Sequence, residues 1–401
     1  MISVAEAQAR ILAHVRPTPA EVVALSEAVG RVSAADVRAR LTQPPADLSA
    51  MDGYAVKAAD AEKGAILRLI GSAPAGHPFP GTLEHGQAVR IFTGSVIPQG
   101  ADAVLIQEDA TREGELVHVR ETARPGRHIR RAGQDFRAGE VVIPKGKKLT
   151  PRDIGLAAAA NHPWLSVHRR PRIAVLSTGD EIALPGEPIP DGGIVSSNAH
   201  ALAALIRAGG GEPFVLPIAR DDVSAIAEAA NAATGADLLV STGGVSVGEH
   251  DLVQSGLAKR GFEVDFWRIA MRPGKPLMYG RLGETPVLGL PGNPVAALVC
   301  GLLFLWPLLL GLSGLAPEPP ATTRAQLGAP LGPNDKRMDF LRAKLARAED
   351  GTWVATAFPV QDSAMLKVLA EADCLILRPP HAPAAATGES VEILRFAAFG
   401  L

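Results

Sequence analysis

The 401-residue sequence has two cysteines, Cys300 and Cys374, and only 4% aromatic residues. Two cysteines cannot build a disulfide framework, which points to a reducing, cytoplasmic setting. With so few aromatics, the cores must be packed from Ala, Val and Leu. Neither sign of charge dominates: 40 basic and 42 acidic side chains leave a formal charge of -2. That balance argues against nucleic acid or an anionic membrane as partner. The start, Met1-Ile2-Ser3-Val4-Ala5-Glu6-Ala7, has no basic region followed by an apolar stretch, so no signal peptide is expected. The histidines lack metal-ligand spacing, which excludes a zinc site. Cys300 and Cys374 lie in apolar runs and read as core. One long apolar run, Val295–Leu312, approaches the length needed to cross a bilayer. Pro307 interrupts it and no basic residues flank it, so it reads as a buried helix. Asn293 is its expected cap, with Pro294 in the first turn.

What remains is ordinary globular material, 47% hydrophobic and 20% charged, long enough for several domains. Residues 2–15 carry apolar positions at helical spacing, and Ala20–Ala28 reads as a second helix before the Pro44-Pro45 pair. From 46 to 140 short apolar runs separated by Gly and Pro predict a strand-rich unit. Thr150-Pro151-Arg152-Asp153 then restarts a helix with cap, first-turn proline and capping-box acid. A helical frame resuming at this point makes 46–140 an insertion between 1–45 and 141–170. Residues 171–315 alternate strands (Ile173–Leu176, Phe214–Ile218, Leu238–Val240, Phe266–Ala270, Val287–Leu290) with helices at Ala199–Ala208, capped by Asn198, Asp222–Ala233 and Pro294–Leu305. That alternation predicts an α/β domain with a parallel sheet covered on both faces. A proline-rich connector, Ala316–Pro333, leads into a small C-terminal β domain within 316–401.

Ligands of such a sheet bind beyond the carboxyl ends of its strands, where the polar motifs fall. Residues 237–251 are the most informative stretch. Leu238–Val240 is a buried strand; Gly243, Gly244 and Gly248 let the backbone approach a ligand; Ser241, Thr242 and Ser246 add hydroxyls; Asp251 closes the turn with a carboxylate. Turns of this kind present N–H groups to phosphate oxygens. The turn has neither a P-loop ending nor the dinucleotide fingerprint, so it belongs to another class of phosphate binder. Ser177-Thr178-Gly179-Asp180-Glu181 and Pro291-Gly292-Asn293 end two other strands, and Arg272 and Lys275 sit on a proline-bounded turn suited to anions. Taken alone, Glu181 is a solvated loop acid, and one of Asp221-Asp222 is a routine helix cap. In the strand-rich unit, Asp52 lies in Ser49-Ala50-Met51-Asp52-Gly53-Tyr54-Ala55, Thr93 in Phe92-Thr93-Gly94, and Asp135 follows Gln134. By themselves these are generic turns.

Together and in this order, these strings, with Gly-Gly-Val-Ser-Val-Gly-Glu-His-Asp (243–251) and Arg-Pro-Gly-Lys-Pro (272–276), resemble the molybdopterin molybdenumtransferases of the MoeA type and the E domain of gephyrin. The resemblance spans essentially the whole chain and is weakest after residue 345. It implies four parts: an elongated N-terminal helical/β domain, the inserted strand-rich domain, a molybdopterin-binding α/β domain and a C-terminal β domain. It implies conversion of adenylylated molybdopterin and molybdate to molybdenum cofactor, with AMP released and Mg²⁺ assisting. It also implies a homodimer whose site lies between the α/β domain of one subunit and the strand-rich unit of the other. Other cofactor-biosynthesis proteins and apo-molybdoenzymes would be further partners. Family roles fall on Asp52, Thr93, Asp135, Glu181, Asp251 and Lys275, joined by one of Asp221 and Asp222, with Asp222 taken as that residue. Arg337 and Arg342 are added from the last domain. The family usually has lysine where Arg272 stands, and arginine keeps the charge but cannot give up a proton near neutral pH. Gln134 replaces a common acid.

Two other classes fit less well. Pterin adenylyltransferases share the α/β unit but lack the insertion and the last domain. A gephyrin-like dimeric scaffold would not need the acids. Anionic substrates meeting Asp52, Asp135, Glu181 and Asp251 repel strongly unless a cation intervenes. Glu181 and Asp251 are hard oxygen ligands of the kind Mg²⁺ takes. The pterin's dithiolene sulfurs take the molybdenum, so no cysteine ligand is required.

Overall fold

The predicted alternation after residue 170 resolves in a computed structural model that describes residues 1–243 and 252–400. The chain divides into two units, Met1–Glu21 with Gly30–Ala34 and Ser166–Leu401, and Val22–Val29 with Ala35–Leu165.

The smaller unit is built on a six-stranded sheet in the order Ala103–Ile106, Gly53–Val56, Gln87–Ile91, Ile66–Ala73, Leu116–Val119, Ala110–Glu113. Only the 66–73 and 87–91 pair is parallel. All of Gly53–Val56 is buried because both faces of the sheet are covered. Tyr54 and Val56 join one apolar cluster and Ala55 the other, the two-residue period of a strand. Further along, helix Pro151–Ala159 starts as its sequence predicts. The Thr150 N–H and hydroxyl both donate to the Asp153 carboxylate, at 2.8 and 2.6 Å. Burial alone would push the Asp153 acid up, but bonds from Lys147 and Thr150 outweigh it and bring its pKa to about 2. The expected helix at Ala20–Ala28 is not formed. Ala20–Ala24 is a strand and Leu25–Glu27 a single 3₁₀ turn. The β-branched pair Val22-Val23 favours extended backbone, and the Leu25 N–H bonds to the Pro163 carbonyl.

The larger unit holds the α/β sheet, in the order Glu212–Val215, Arg172–Ser177, Leu238–Thr242, Thr285–Leu290, Met278–Leu282, Phe262–Trp267. The first four strands are parallel. Strand 278–282, not anticipated from the sequence, runs antiparallel between 285–290 and 262–267, so the sheet is mixed. The reading of 266–270 as a strand was placed too late, because 268–270 leave the sheet. Helices Asn198–Ala208, Val223–Ala232 and Leu252–Ala258 flank the sheet.

The C-terminal domain is a closed five-stranded barrel. Strands Thr323–Leu327, Met338–Arg347, Trp353–Ala357, Cys374–Arg378 and Ser390–Arg395 return on themselves through the 338–347 and 374–378 pairing. Its first strand lies inside the segment expected to be a plain connector. Residues 271–272 of the α/β domain add to the barrel edge alongside Met338 and Asp339.

The apolar run forms one helical rod, Pro294–Leu312, with a mean hydropathy of 2.5 over its most apolar window and 83% of that window buried inside the protein. It is a core helix, packed against Ile11, Leu202, Leu205 and Phe340. Each large aliphatic side chain so buried stabilises the unit by about 1.5–3 kcal/mol. Pro307 does not end it. Proline lacks the N–H that would serve the carbonyl four residues back, that of Leu303, and its ring crowds that carbonyl. The helix widens into a π segment at Gly301–Leu305, and the buried Gln8 side chain donates to the Leu303 carbonyl at 3.1 Å. Helix Val4–Leu12, capped by Ser3, carries Gln8 to this position. A glutamine thus replaces the donor that a proline removed.

Gln8→Met is therefore expected to destabilise the larger unit by about 1–3 kcal/mol, the cost of an unsatisfied buried carbonyl. Adding Pro307→Ala restores a backbone donor and should recover most of that loss. A double-mutant cycle by chemical denaturation checks the coupling; additive effects would contradict it.

Candidate active site

Parallel register places the ends of three strands side by side. Ser177 pairs with Thr242, and Thr242 with Leu290. The turns that follow, 177–181, 241–243 and 291–293, therefore leave the sheet at one edge. They open onto a cavity of about 1030 Å³.

Of the residues singled out from the sequence, Ser177, Thr178, Glu181, Gly243, Arg272, Lys275, Pro291, Gly292, Asn293 and Arg337 line this cavity. Gly179 and Ser241 adjoin it without lining it. Gly244, Ser246, Gly248 and Asp251 lie outside the described residues. The Ser177 and Thr178 hydroxyls are buried, yet they have no hydrogen-bond partner among the described residues. An unpaired buried hydroxyl costs about 1–3 kcal/mol, so these are positions where a ligand oxygen is favoured. Gly243, at φ +91°, admits no side chain. A Cβ there would stand 2.6 Å from the Thr178 carbonyl, so glycine lets the two turns touch.

Asn198 was expected to cap the helix it opens. Instead it lies inside the helix, and its amide Nδ2 donates to Thr242 Oγ1 at 2.9 Å and to the Gly292 carbonyl at 2.7 Å. The Thr242 hydroxyl in turn donates to the Pro291 carbonyl at 3.3 Å. One asparagine ties a helix start to two strand ends, a role invisible in sequence because its partners are 44 and 94 residues away. Asn293 makes no side-chain cap either; its amide donates to Ser363 Oγ at 2.9 Å, which brings a barrel residue to the cavity rim.

The acids separate into distinct roles. Asp222 is the helix cap: its Oδ1 accepts from the Ser224 and Ala225 N–H groups, both at 2.9 Å. Asp221, not Asp222, lines the cavity with Glu181. Partial burial, then the charges of Glu181 and Asp180, raise the Asp221 pKa above the ordinary carboxylate value. Among the described residues no group of three or more His, Cys, Asp or Glu side chains is arranged to hold a metal ion. Glu181 and Asp221 nonetheless are hard oxygen donors in mutual repulsion. Such an open set suits a cation that shares its ligands with substrate phosphates rather than sitting in a protein cage.

Arg272 is not a free anion-binding group. Its Nε donates to Asp339 Oδ1 at 2.9 Å, its Nη2 bonds the other oxygen, and Nη1 lies 3.8 Å from Asp335. The hydrogen bond that Arg272 donates to Asp339 is the main cause that raises the arginine's pKa. Asp339 is buried and requires a cation, and arginine meets a carboxylate through two parallel bonds where lysine cannot. Arg337 pairs with Asp335 at 3.3 Å. Among the described residues Lys275 has no ion pair, so it is the uncommitted cation of the loop. Arg342 is buried and does not line the cavity, but is held by Gln361, which does.

In the other unit, Asp52 Oδ1 accepts from both the Thr93 N–H and the Thr93 hydroxyl, each at 2.8 Å. These bonds, the backbone one foremost, hold Asp52 below the usual carboxylate range. Gly53 is obligatory beside it, since a Cβ would stand 2.0 Å from the Leu105 carbonyl. The two turns are stitched by Ser49 N–H to Ser95 O and Gly94 N–H to Ser49 O, both 2.8 Å. Asp135 is exposed.

Three family descriptions match consecutive parts of the chain: the MoeA N-terminal region (domain I and II) at 2–161, a probable molybdopterin binding domain at 174–311, and the MoeA C-terminal region (domain IV) at 324–396. A Haemophilus influenzae protein named molybdopterin molybdenumtransferase is 35% identical over 404 residues, covering 99% of both chains. The chain belongs to the MoeA family. A Nostoc relative of the same name is 41% identical over 305 residues, 74% of this chain and 70% of that one. A solved moeA protein structure from Pyrococcus horikoshii superposes with a TM-score of 0.83 at 28% identity, covering 99% of this chain and 100% of that one. The four-part α/β architecture expected from the resemblance is that of the family.

Asn198→Ala should cost about 1–2 kcal/mol through two lost hydrogen bonds and speed amide exchange at Gly292 and Asn293. Hydrogen exchange read by mass spectrometry checks this, and unchanged protection of the 291–293 turn would count against the role.

Proposed function

We propose that this protein is a molybdopterin molybdenumtransferase, acting in the cytoplasm as a homodimer. It inserts molybdate into adenylylated molybdopterin and releases AMP. The observation that carries this reading is the meeting of three motif turns at one cavity with two buried hydroxyls that have no partner among the described residues, in a chain of the MoeA family. Other cofactor-biosynthesis proteins and apo-molybdoenzymes are its proposed partners.

In this reading the Ser177 and Thr178 hydroxyls and the Gly243 turn hold phosphate oxygens of the pterin, and Gly244, Ser246 and Gly248 are proposed as further substrate-binding residues. Lys275, without an ion pair among the described residues, takes the oxyanion of molybdate or the charge that develops on the departing AMP. Arg272 and Arg337 act from behind, holding the 335–339 segment beside the cavity. Glu181, Asp221 and Asp251 are the metal-facing acids; bound Mg²⁺ would neutralise them against the substrate's phosphates and polarise the anhydride bond that breaks. Asp221, its pKa raised by partial burial and then by the charges of Glu181 and Asp180, loses its ionisation at higher pH than an ordinary aspartate. Asp52, held ionised by Thr93, and Asp135 are proposed to serve the same reaction.

Adenylylated molybdopterin, molybdate and Mg²⁺ supplied to the purified protein should yield AMP and reconstitute an apo-molybdoenzyme. Glu181→Gln and Asp251→Asn should each abolish AMP release with circular dichroism unchanged; full activity in both would refute the metal role. Asp221→Asn is expected to weaken Mg²⁺ half-saturation at least tenfold. Asp222→Ala should instead lower thermal stability, by about 1 kcal/mol for a lost N-cap, and leave the Mg²⁺ dependence alone. The reverse pattern would return the site role to Asp222.

A further inference from the structure

A second cavity, of about 590 Å³, lies away from the motif turns, where the α/β domain and the barrel meet inside the larger unit. Its walls are aliphatic, with Leu205 from one helix, Leu298 and Leu302 from the core rod, and Leu369 from helix Leu366–Glu371. This volume and lining are those of small-molecule sites, which pair apolar walls with a few placed polar groups. Here the polar group is Arg395. Its Nε is buried without a hydrogen-bond partner, and among the described residues its guanidinium forms no ion pair. It lies 4.5 Å from the ring centre of Trp353, a ring already met by Arg347 at 3.9 Å.

The one acid on the cavity wall does not neutralise it. Asp373 accepts from the Leu345 N–H at 2.9 Å and faces Lys344 at 3.7 Å. The cavity thus offers an uncompensated cation with a buried, idle donor at the edge of an apolar chamber. We propose that this chamber binds a small amphipathic carboxylate: an aliphatic body in the leucine-lined space and a carboxylate on Arg395. A carboxylate satisfies the idle Nε–H and adds a charge-assisted bond, while its chain removes apolar wall from water. The site is separate from the proposed reaction and does not depend on it.

The test uses the full-length protein and octanoate, with 1-octanol as the uncharged probe of the same body, titrated by calorimetry. Octanoate should bind with one-to-one stoichiometry and at least tenfold more tightly than 1-octanol. Arg395→Gln should erase that preference by weakening octanoate alone. Ala204→Phe, which places bulk on an exposed wall position, should weaken both probes. Binding of octanoate that neither variant alters, or a preference for 1-octanol in the native protein, would overturn the proposal. So would an absence of binding coupled to a concentration-dependent increase in mass that Ala204→Phe removes, since a second copy would then be the occupant.

Discussion

The parallel register of strands 172–177, 238–242 and 285–290 is the constraint on which the cavity's chemistry depends. Parallel strands share a direction, so their carboxyl ends finish at one edge, and each following turn is delivered there whatever its distance in sequence. Ser177, Thr242 and Leu290 end in line, and the polar residues after them have nowhere else to go. Gly243 and Asn198 then close the assembly, one by having no side chain and the other by donating to both neighbouring segments.

The same edge is braced by electrostatics that would be costly if incomplete. Buried Asp339 is tolerable because Arg272 meets it through two bonds, and Arg272 can do so because residues 271–272 pair with the barrel edge. Removing Arg272 would leave the buried Asp339 carboxylate alone, which is far more damaging than losing a surface ion pair. The barrel is thereby held at the cavity, bringing Arg337 and Ser363 to it. The core rod carries its own compensation, in Gln8 serving the carbonyl that Pro307 cannot.

Most of the architecture was legible from residue patterns. The alternation after 170, the capping box at 150–153 and the strand-rich character of 46–140 each follow from local preference. The failures have local causes as well. Met278–Leu282 carries a glycine and follows a proline-rich loop, so nothing in it announces a strand; pairing on both sides makes it one. Ala20–Ala24 has alanines at helical spacing, but its two valines are extended. Thr323–Leu327 is masked by its proline-rich surroundings and is defined by barrel closure.

Residue types and their order were sufficient to identify the family and to nominate the polar turns, because motifs are local strings and chemistry requires particular side chains. Their assignments within the cavity came only from the folded chain. Asp221 rather than Asp222 faces it, Arg272 is spent on Asp339 while Lys275 has no ion pair among the described residues, and Asn198 is a tie rather than a cap. Each of those outcomes turns on a partner tens of residues distant or on a helix start shifted by one position, and sequence spacing carries no record of which groups meet in space.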